Sequence, residues 1–297
     1  MPAEEFSHTV FPSAEEDVGA AVLVPETPQT RSSAHRLAFA DPEFLLRDEL
    51  RPVRLQLEFL KPELLQQAYG ITATVVIFGS TRIPDAATAA QRLAHAEACL
   101  GQEPTHSALL RAVDIARRVV AKAHYYDGAR KLAHLITTES RQADGSRLVV
   151  ITGGGPGIME AANRGASDAA GPSIGLHIVL PHEQAPNPYI TPELSFQFHY
   201  FALRKMHFLL RAKALVTFPG GFGTLDELFE TLTLLQTHKV KPVPVLLFGE
   251  AYWSRLIRFD VLVEEGTIDQ EDLGLFQYVE TAEQAWAAIK AFYQTNP

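Results

Sequence analysis

The chain has 297 residues, of which 46% are hydrophobic and 21% charged, a mix that excludes a disordered or fibrous protein over most of its length. Lys and Arg number 26 against 35 Asp and Glu, and the resulting net charge of −9 has the wrong sign for tracking a nucleic-acid backbone. A single cysteine, Cys99, cannot form an internal disulfide, which excludes a stapled secreted scaffold.

The first thirty residues hold six acids and no Lys or Arg before Arg31, unlike a signal or transit peptide. No apolar stretch approaches the roughly 18 residues of a membrane span. A cytoplasmic chain with neither nucleic acid nor membrane as partner is therefore expected. Residues 1–35 read as a loosely held tail in which Ala20–Val24 can pair as a short edge strand. From Pro42 to Tyr69, the spacing of Phe44, Leu45, Leu50, Leu55, Phe59, Leu60, Leu64 and Leu65 predicts one or two helices. Thr74–Phe78 is a continuous β-branched and aromatic run, as expected of a strand buried on both faces of a parallel sheet.

Residues 84–140 show helical patterns only, with breaks expected near Gly101–Pro104 and at Asp127-Gly128. From Arg147 strands and helices alternate. Predicted strands are 148–152, 173–180, 215–218 and 244–248; predicted helices are 158–169, 201–212, 225–236, 252–264 and 282–293. This alternation implies right-handed βαβ units and a doubly wound parallel α/β sheet. The expected division is an N-terminal tail and helical extension over 1–70, then a nucleotide-binding catalytic domain over 71–297 with a helical insert at about 84–125.

Ligands of such sheets bind beyond the carboxyl ends of the strands. Three strands end there in small residues: Gly79-Ser80, Gly153-Gly154-Gly155 and Gly220-Gly221. Thr152–Gly157 fits the dinucleotide spacing badly, and a tight turn that binds nothing is the alternative. Phe218-Pro219-Gly220-Gly221-Phe222-Gly223-Thr224-Leu225-Asp226-Glu227 again leads into a helix N-terminus, where free N–H groups and the dipole favour an anion. It lacks the Gly-Lys-Ser/Thr of a triphosphate loop, so a monophosphate is the natural guest. Thr224-x-x-Glu227 also spells a capping box, and cap and catalyst are both open for Glu227.

Phe201–Leu210 is apolar nearly all round, which predicts a buried helix. Arg204 within it then needs an anion or carboxylate, unless it snorkels, while Lys205 is expected to be solvated. The histidines form no zinc pattern, and Pro181-His182-Glu183-Gln184 lacks a second His. No G-x-S-x-G elbow is present. A pyridoxal-phosphate enzyme needs a Schiff-base lysine, and no motif surrounds Lys205 or Lys213. No metal or other cofactor is expected.

Gly153–Asn163, Arg204-Lys205 and Pro219–Glu227 together resemble the three signatures of the Lonely Guy (LOG) family, over about 72–265. The resemblance implies a Rossmann-like fold and a homodimer or larger homo-oligomer. It also implies hydrolysis of the N-glycosidic bond of a nucleoside 5′-monophosphate to free base and ribose 5-phosphate. The catalytic pair falls on Arg204 and Glu227. Substrate contacts fall on Gly79, Ser80, Gly154, Gly155, Met159, Glu183, Lys205, Gly220, Gly221, Phe222, Gly223, Thr224 and Thr233. The extra N-terminal residues and helical insert resemble the longer bacterial branch, for which AMP is a plausible substrate beside a cytokinin riboside 5′-monophosphate. A nucleotide-binding module without catalysis is the alternative, and it needs neither Arg204 nor Glu227.

Overall fold

The computed structural model describes residues 11–140, 147–180 and 185–295. Its internal contacts divide the chain into two units, 1–57 and 58–297. In the first unit, α1 (Ala14–Ala21) occupies part of the segment expected to pair as an edge strand. A capping box decides for helix: the Ser13 hydroxyl accepts from the Glu16 N–H, and the Glu16 carboxylate accepts from the Ser13 N–H. Asp41 and Pro42 then open α2 (Pro42–Leu45), an Asp N-cap followed by Pro at the first helical position.

Helix α3 (Arg51–Ala68) realises the predicted 42–69 periodicity, and its residues 58–68 belong to the second unit. There β1 (Thr74–Phe78) is followed by α4 (Ala86–Gln102), α5 (Ser107–Val120) and α6 (His124–Glu139), then by β2 (Val149–Thr152) and α7 (Ile158–Asp168). Next come β3 (Ser173–Ile178), β4 (Ser195–Phe198), α8 (Phe201–Leu209), β5 (Ala212–Thr217) and α9 (Phe222–Gln236). The chain closes with β6 (Val245–Phe248), α10 (Glu250–Leu256), α11 (Phe259–Glu264), β7 (Gln277–Val279) and α12 (Ala282–Thr295).

Among the described residues, seven strands form one sheet in the order β4-β3-β2-β1-β5-β6-β7, all neighbours parallel. Alternate residues of β1 feed two cores. Val75 and Ile77 pack with α6, α7 and α12 through Leu132, Ile158 and Trp286. Val76 and Phe78 pack on the other face with Phe208, Leu228 and Trp253. Fully burying such a Val, Ile or Leu side chain contributes about 1.5–3 kcal/mol, so the continuous apolar run reflects a strand covered on both faces. The sheet is thus the doubly wound, Rossmann-like α/β architecture read from the alternation.

Several local expectations are corrected. Helix α6 runs through Asp127-Gly128 without a break, because Gly128 lies against the stacked rings of Phe218 and Phe248; a Cβ there would come within 3.2 Å of Phe248. The helix expected over 252–264 divides into α10 and α11 at Ile257, whose backbone is extended. Edge strands β4 and β7 were not foreseen. They have four and three residues, and β4 shows its period only as Phe196 and Phe198 inward and Gln197 outward.

Candidate active site

The strand order reverses between β1 and β5, whose crossovers leave to opposite sides, and the crevice of a doubly wound sheet opens at that point. A cleft of about 520 Å³ lies there. Gly79–Arg82 line it after β1, Gly221–Thr224 with Asp226 and Glu227 after β5, and Met159, Phe201 and Arg204 from α7 and α8. The loops that build it are stitched by backbone bonds: the Ser80 N–H donates to the Pro219 carbonyl (3.0 Å), and the Ile158 N–H to the Ser80 carbonyl (3.1 Å). This close approach needs glycine at 157, where φ is +73° and a Cβ would sit 2.4 Å from the Ser80 carbonyl oxygen. Behind the first glycine turn, the Asn187 amide donates to the carbonyls of Gly154 (2.9 Å) and Gly155 (3.1 Å) and to Asn163 Oδ1 (2.9 Å).

Helix α9 begins at Phe222, three residues ahead of expectation, with Gly221 as N-cap and no side-chain cap. Thr224 therefore stands in the third helical position, and the Thr224-x-x-Glu227 capping box does not form. Glu227 sits a turn deeper, only 7% exposed. Burial pushes its carboxyl up to about 7, against the opposing pull of Lys205 and Arg204. Phe222, Gly223 and Thr224 supply the first-turn N–H groups of α9 at the cleft wall, where the helix dipole favours an anion.

Helix α8 is half exposed rather than buried: His207 and Phe208 face inward, while Phe201, Met206 and Leu210 are 53%, 48% and 46% exposed. Arg204 is partly buried. Its Nε donates to the Leu176 carbonyl in β3 (2.8 Å), and its guanidinium lies 5.2 Å above the Phe208 ring. Lys205 is not solvated. Its Nζ meets Glu230 at 2.6 Å, Asp226 at 2.9 Å and Glu227 at 3.8 Å. Burial lowers the ammonium pKa, but the bonds to Glu230 and Asp226 outweigh it and the net shift is upward.

The cleft thus gathers Gly79, Ser80, Met159, Arg204, Gly221, Phe222, Gly223, Thr224 and Glu227. Gly155 stands just behind Met159, while Gly154 is held by Asn187 and packs beneath the turn against His177. Gly220 lies under Thr224, its carbonyl accepting from the Tyr252 hydroxyl (2.6 Å). Thr233 is exposed, nearly two turns past Glu227, its hydroxyl donating to the Phe229 carbonyl. Glu183 lies outside the described residues. Arg82 and Phe201 also line the cleft, and sequence reasoning missed both. The signal for Arg82 was a cation two residues beyond Ser80, whose hydroxyl accepts its N–H (3.0 Å).

Residues 159–289 match the family described as "possible lysine decarboxylase". A probable cytokinin riboside 5′-monophosphate phosphoribohydrolase, LOG6 of Arabidopsis thaliana, is 32% identical over half of this chain and 70% of its own length. The chain belongs to the LOG family. LOG2 of the same plant, named a cytokinin riboside 5′-monophosphate phosphoribohydrolase, is 29% identical over half of this chain and 66% of its own. The matched region covers less than two thirds of the length of this and other such relatives, from 58% to 66%. Among solved structures, a molybdenum cofactor binding protein from Rippkaea orientalis aligns over 57% of this LOG-family chain and 88% of its own, at 21% identity and a TM-score of 0.41. Among the described residues of this LOG-family chain, no helix is long and apolar enough to cross a membrane.

Proposed function

We propose that this LOG-family protein hydrolyses the N-glycosidic bond of a nucleoside 5′-monophosphate, AMP or a cytokinin riboside 5′-monophosphate, yielding free base and ribose 5-phosphate. One observation carries the reading: Glu227 is a buried carboxyl with no capping role, in the same cleft as the open N-terminus of its own helix. The first-turn N–H groups of Phe222, Gly223 and Thr224, with Arg82 nearby, hold the 5′-phosphate, and Arg204 pairs with Glu227 at the reacting bond. Glu227 follows Phe222 by five residues, about 7.5 Å along the axis, and its side chain tilts back towards the N-terminus. That offset suits a ribose stretched from its phosphate to its anomeric carbon.

Cleavage of the bond builds positive charge on the sugar ring, and ionised Glu227 stabilises it. Water attacks the anomeric carbon and gives its proton to the Glu227 carboxylate; the C–N bond pair leaves with the base, which takes up a proton from solvent as Glu227 returns its own to solvent. Neutral Glu227 cannot do this, and a carboxyl pushed up to about 7 by burial makes turnover depend on pH near neutrality. The relatives' names support the reaction class. Incubation with a panel of nucleoside monophosphates and their nucleosides, followed by chromatography of free base, tests the reading. AMP or a close relative is expected to be cleaved far faster than adenosine. Equal rates on nucleotide and nucleoside would remove the phosphate-holding role, and binding without any cleavage would favour a nucleotide-binding module.

A further inference from the structure

Arg204 of the cleft stands on α8, and α8 rests on residues 58–63 of α3 at three successive points. At its start, the Glu58 carboxylate accepts two backbone N–H groups, from His199 (2.8 Å to Oε1) and Tyr200 (3.1 Å to Oε2). Tyr200 is the N-cap of α8 and offers no side-chain cap of its own. Glu58 therefore serves as a borrowed cap, its charge at the positive end of the helix dipole. The Tyr200 carbonyl in turn accepts the N–H of Arg204 (3.3 Å), so one covalent residue separates the borrowed cap from the bond that sets the Arg204 backbone.

In the middle, the buried His207 ring lies between Phe59 of α3 (5.3 Å) and Phe198 of β4 (5.5 Å). Beyond the C-terminus, Arg211 makes a two-pronged pair with Glu63 (2.6 and 2.7 Å), and its Nε donates to the Ile71 carbonyl (3.0 Å). The Arg211 side chain is only 13% exposed, and a planar fork on a carboxylate fixes orientation as well as position. The contacts at 58, 59 and 63 thus reach α8 at 199–200, 207 and 211, spanning it from end to end.

From this geometry we infer that Glu58 and Glu63 are positioning residues, which set the rotation and axial place of α8 and so the aim of the Arg204 guanidinium in the cleft. The inference rests on the nucleotide-hydrolysis reading for its kinetic part. Arg204 reaches the cleft along a long side chain tied at Nε to Leu176, so a small rotation of the helix strains that tie or breaks it. Misplacement by about an ångström costs on the order of 10²-fold in rate when a group acts on the transition state.

The test uses the full chain with AMP as substrate. Glu58→Ala is expected to lower kcat about ten- to a hundredfold at 25 °C, with KM changed less than about threefold. Glu58→Gln keeps an acceptor oxygen and is expected to recover part of that loss. In an Arg204→Ala background Glu58→Ala should cost nothing further, because the residue to be aimed is gone. Glu63→Gln removes one prong of the Arg211 pair and should repeat the kcat effect in milder form. A Glu58→Ala protein that melts lower but keeps its kcat, or losses that multiply in the Arg204→Ala background, would overturn the inference. Hydrogen exchange at the α8 amides provides a separate reading: faster exchange in Glu58→Ala is expected, and unchanged exchange overturns the inference whatever substrate is cleaved. Wild-type protein that cleaves no nucleoside monophosphate would instead overturn only the reaction assigned above.

Discussion

Replacing Glu227 by Gln separates the roles open to this residue, because the two side chains share a shape and differ in charge. Burial raises the carboxyl from 4.5 to about 7. At about 1.4 kcal/mol per pKa unit, ionising it in the folded protein costs about 3 kcal/mol at pH well above 7. The sign follows from proton counts: between pH 4.5 and 7 the unfolded chain has released a proton that the folded one still holds, so the wild type loses stability as pH rises through that window. Glutamine has no proton to lose. Relative to the variant, the wild type should therefore fall by about 2–3 kcal/mol between pH 5 and pH 8, or roughly 5–10 °C in Tm for a unit of this size. Lys205 does not reverse this balance, since it keeps Asp226 and Glu230 when the carboxylate at 227 is gone. Turnover should drop on the order of 10²-fold or more, the usual scale for removing a charge aimed at the transition state. The assay is paired melting of wild type and Glu227→Gln at pH 5 and pH 8, with release of base from AMP at each. A Tm difference independent of pH would refute the perturbed carboxyl, and retention of most turnover would refute its catalytic role.

The rate of the wild type carries the same titration. With saturating AMP, kcat should rise with pH through a midpoint at or above about 7, because the bound phosphate adds negative charge near a carboxyl already raised; a rate flat from pH 5.5 to 8.5 would remove ionised Glu227 from the mechanism. The protein is expected to form a homodimer or larger homo-oligomer through the face of α8 that leaves Met206 and Leu210 uncovered. A monomeric mass by light scattering at micromolar concentration would refute that assembly, while Met206→Asp should shift a dimer towards monomer.

What could be read in the sequence follows from which forces act locally. The run Val75–Phe78 declared a strand because both faces of β1 are covered, so no polar residue interrupts it. The three glycine-bearing strand ends were legible because close backbone approach leaves few alternatives, as at Gly157. Short β4 and β7 were not, since three or four edge residues carry too little period to rise above the loops around them. Lys205 was misread for a different reason. Its partners Asp226, Glu227 and Glu230 lie on α9, and only packing of α9 against α8 turns a surface-looking lysine into the centre of an acidic cluster.

The start of α9 is where local and tertiary preferences part, and the function depends on it. Local chemistry at Thr224-x-x-Glu227 favours a helix capped at Thr224, with the carboxylate at the solvent edge bonded to a backbone N–H. Phe222 and Gly223 argue against starting earlier, since glycine is a poor helix former. The folded protein nonetheless starts at Phe222. The three added residues leave the leading N–H groups without a side-chain cap and move Glu227 inward, where ionisation is costly. A side-chain cap would have occupied the donors that an anionic ligand needs and held Glu227 at the rim with an ordinary pKa. Moving the helix start therefore supplies an open anion site and a perturbed carboxyl together, from one backbone decision that costs some local stability.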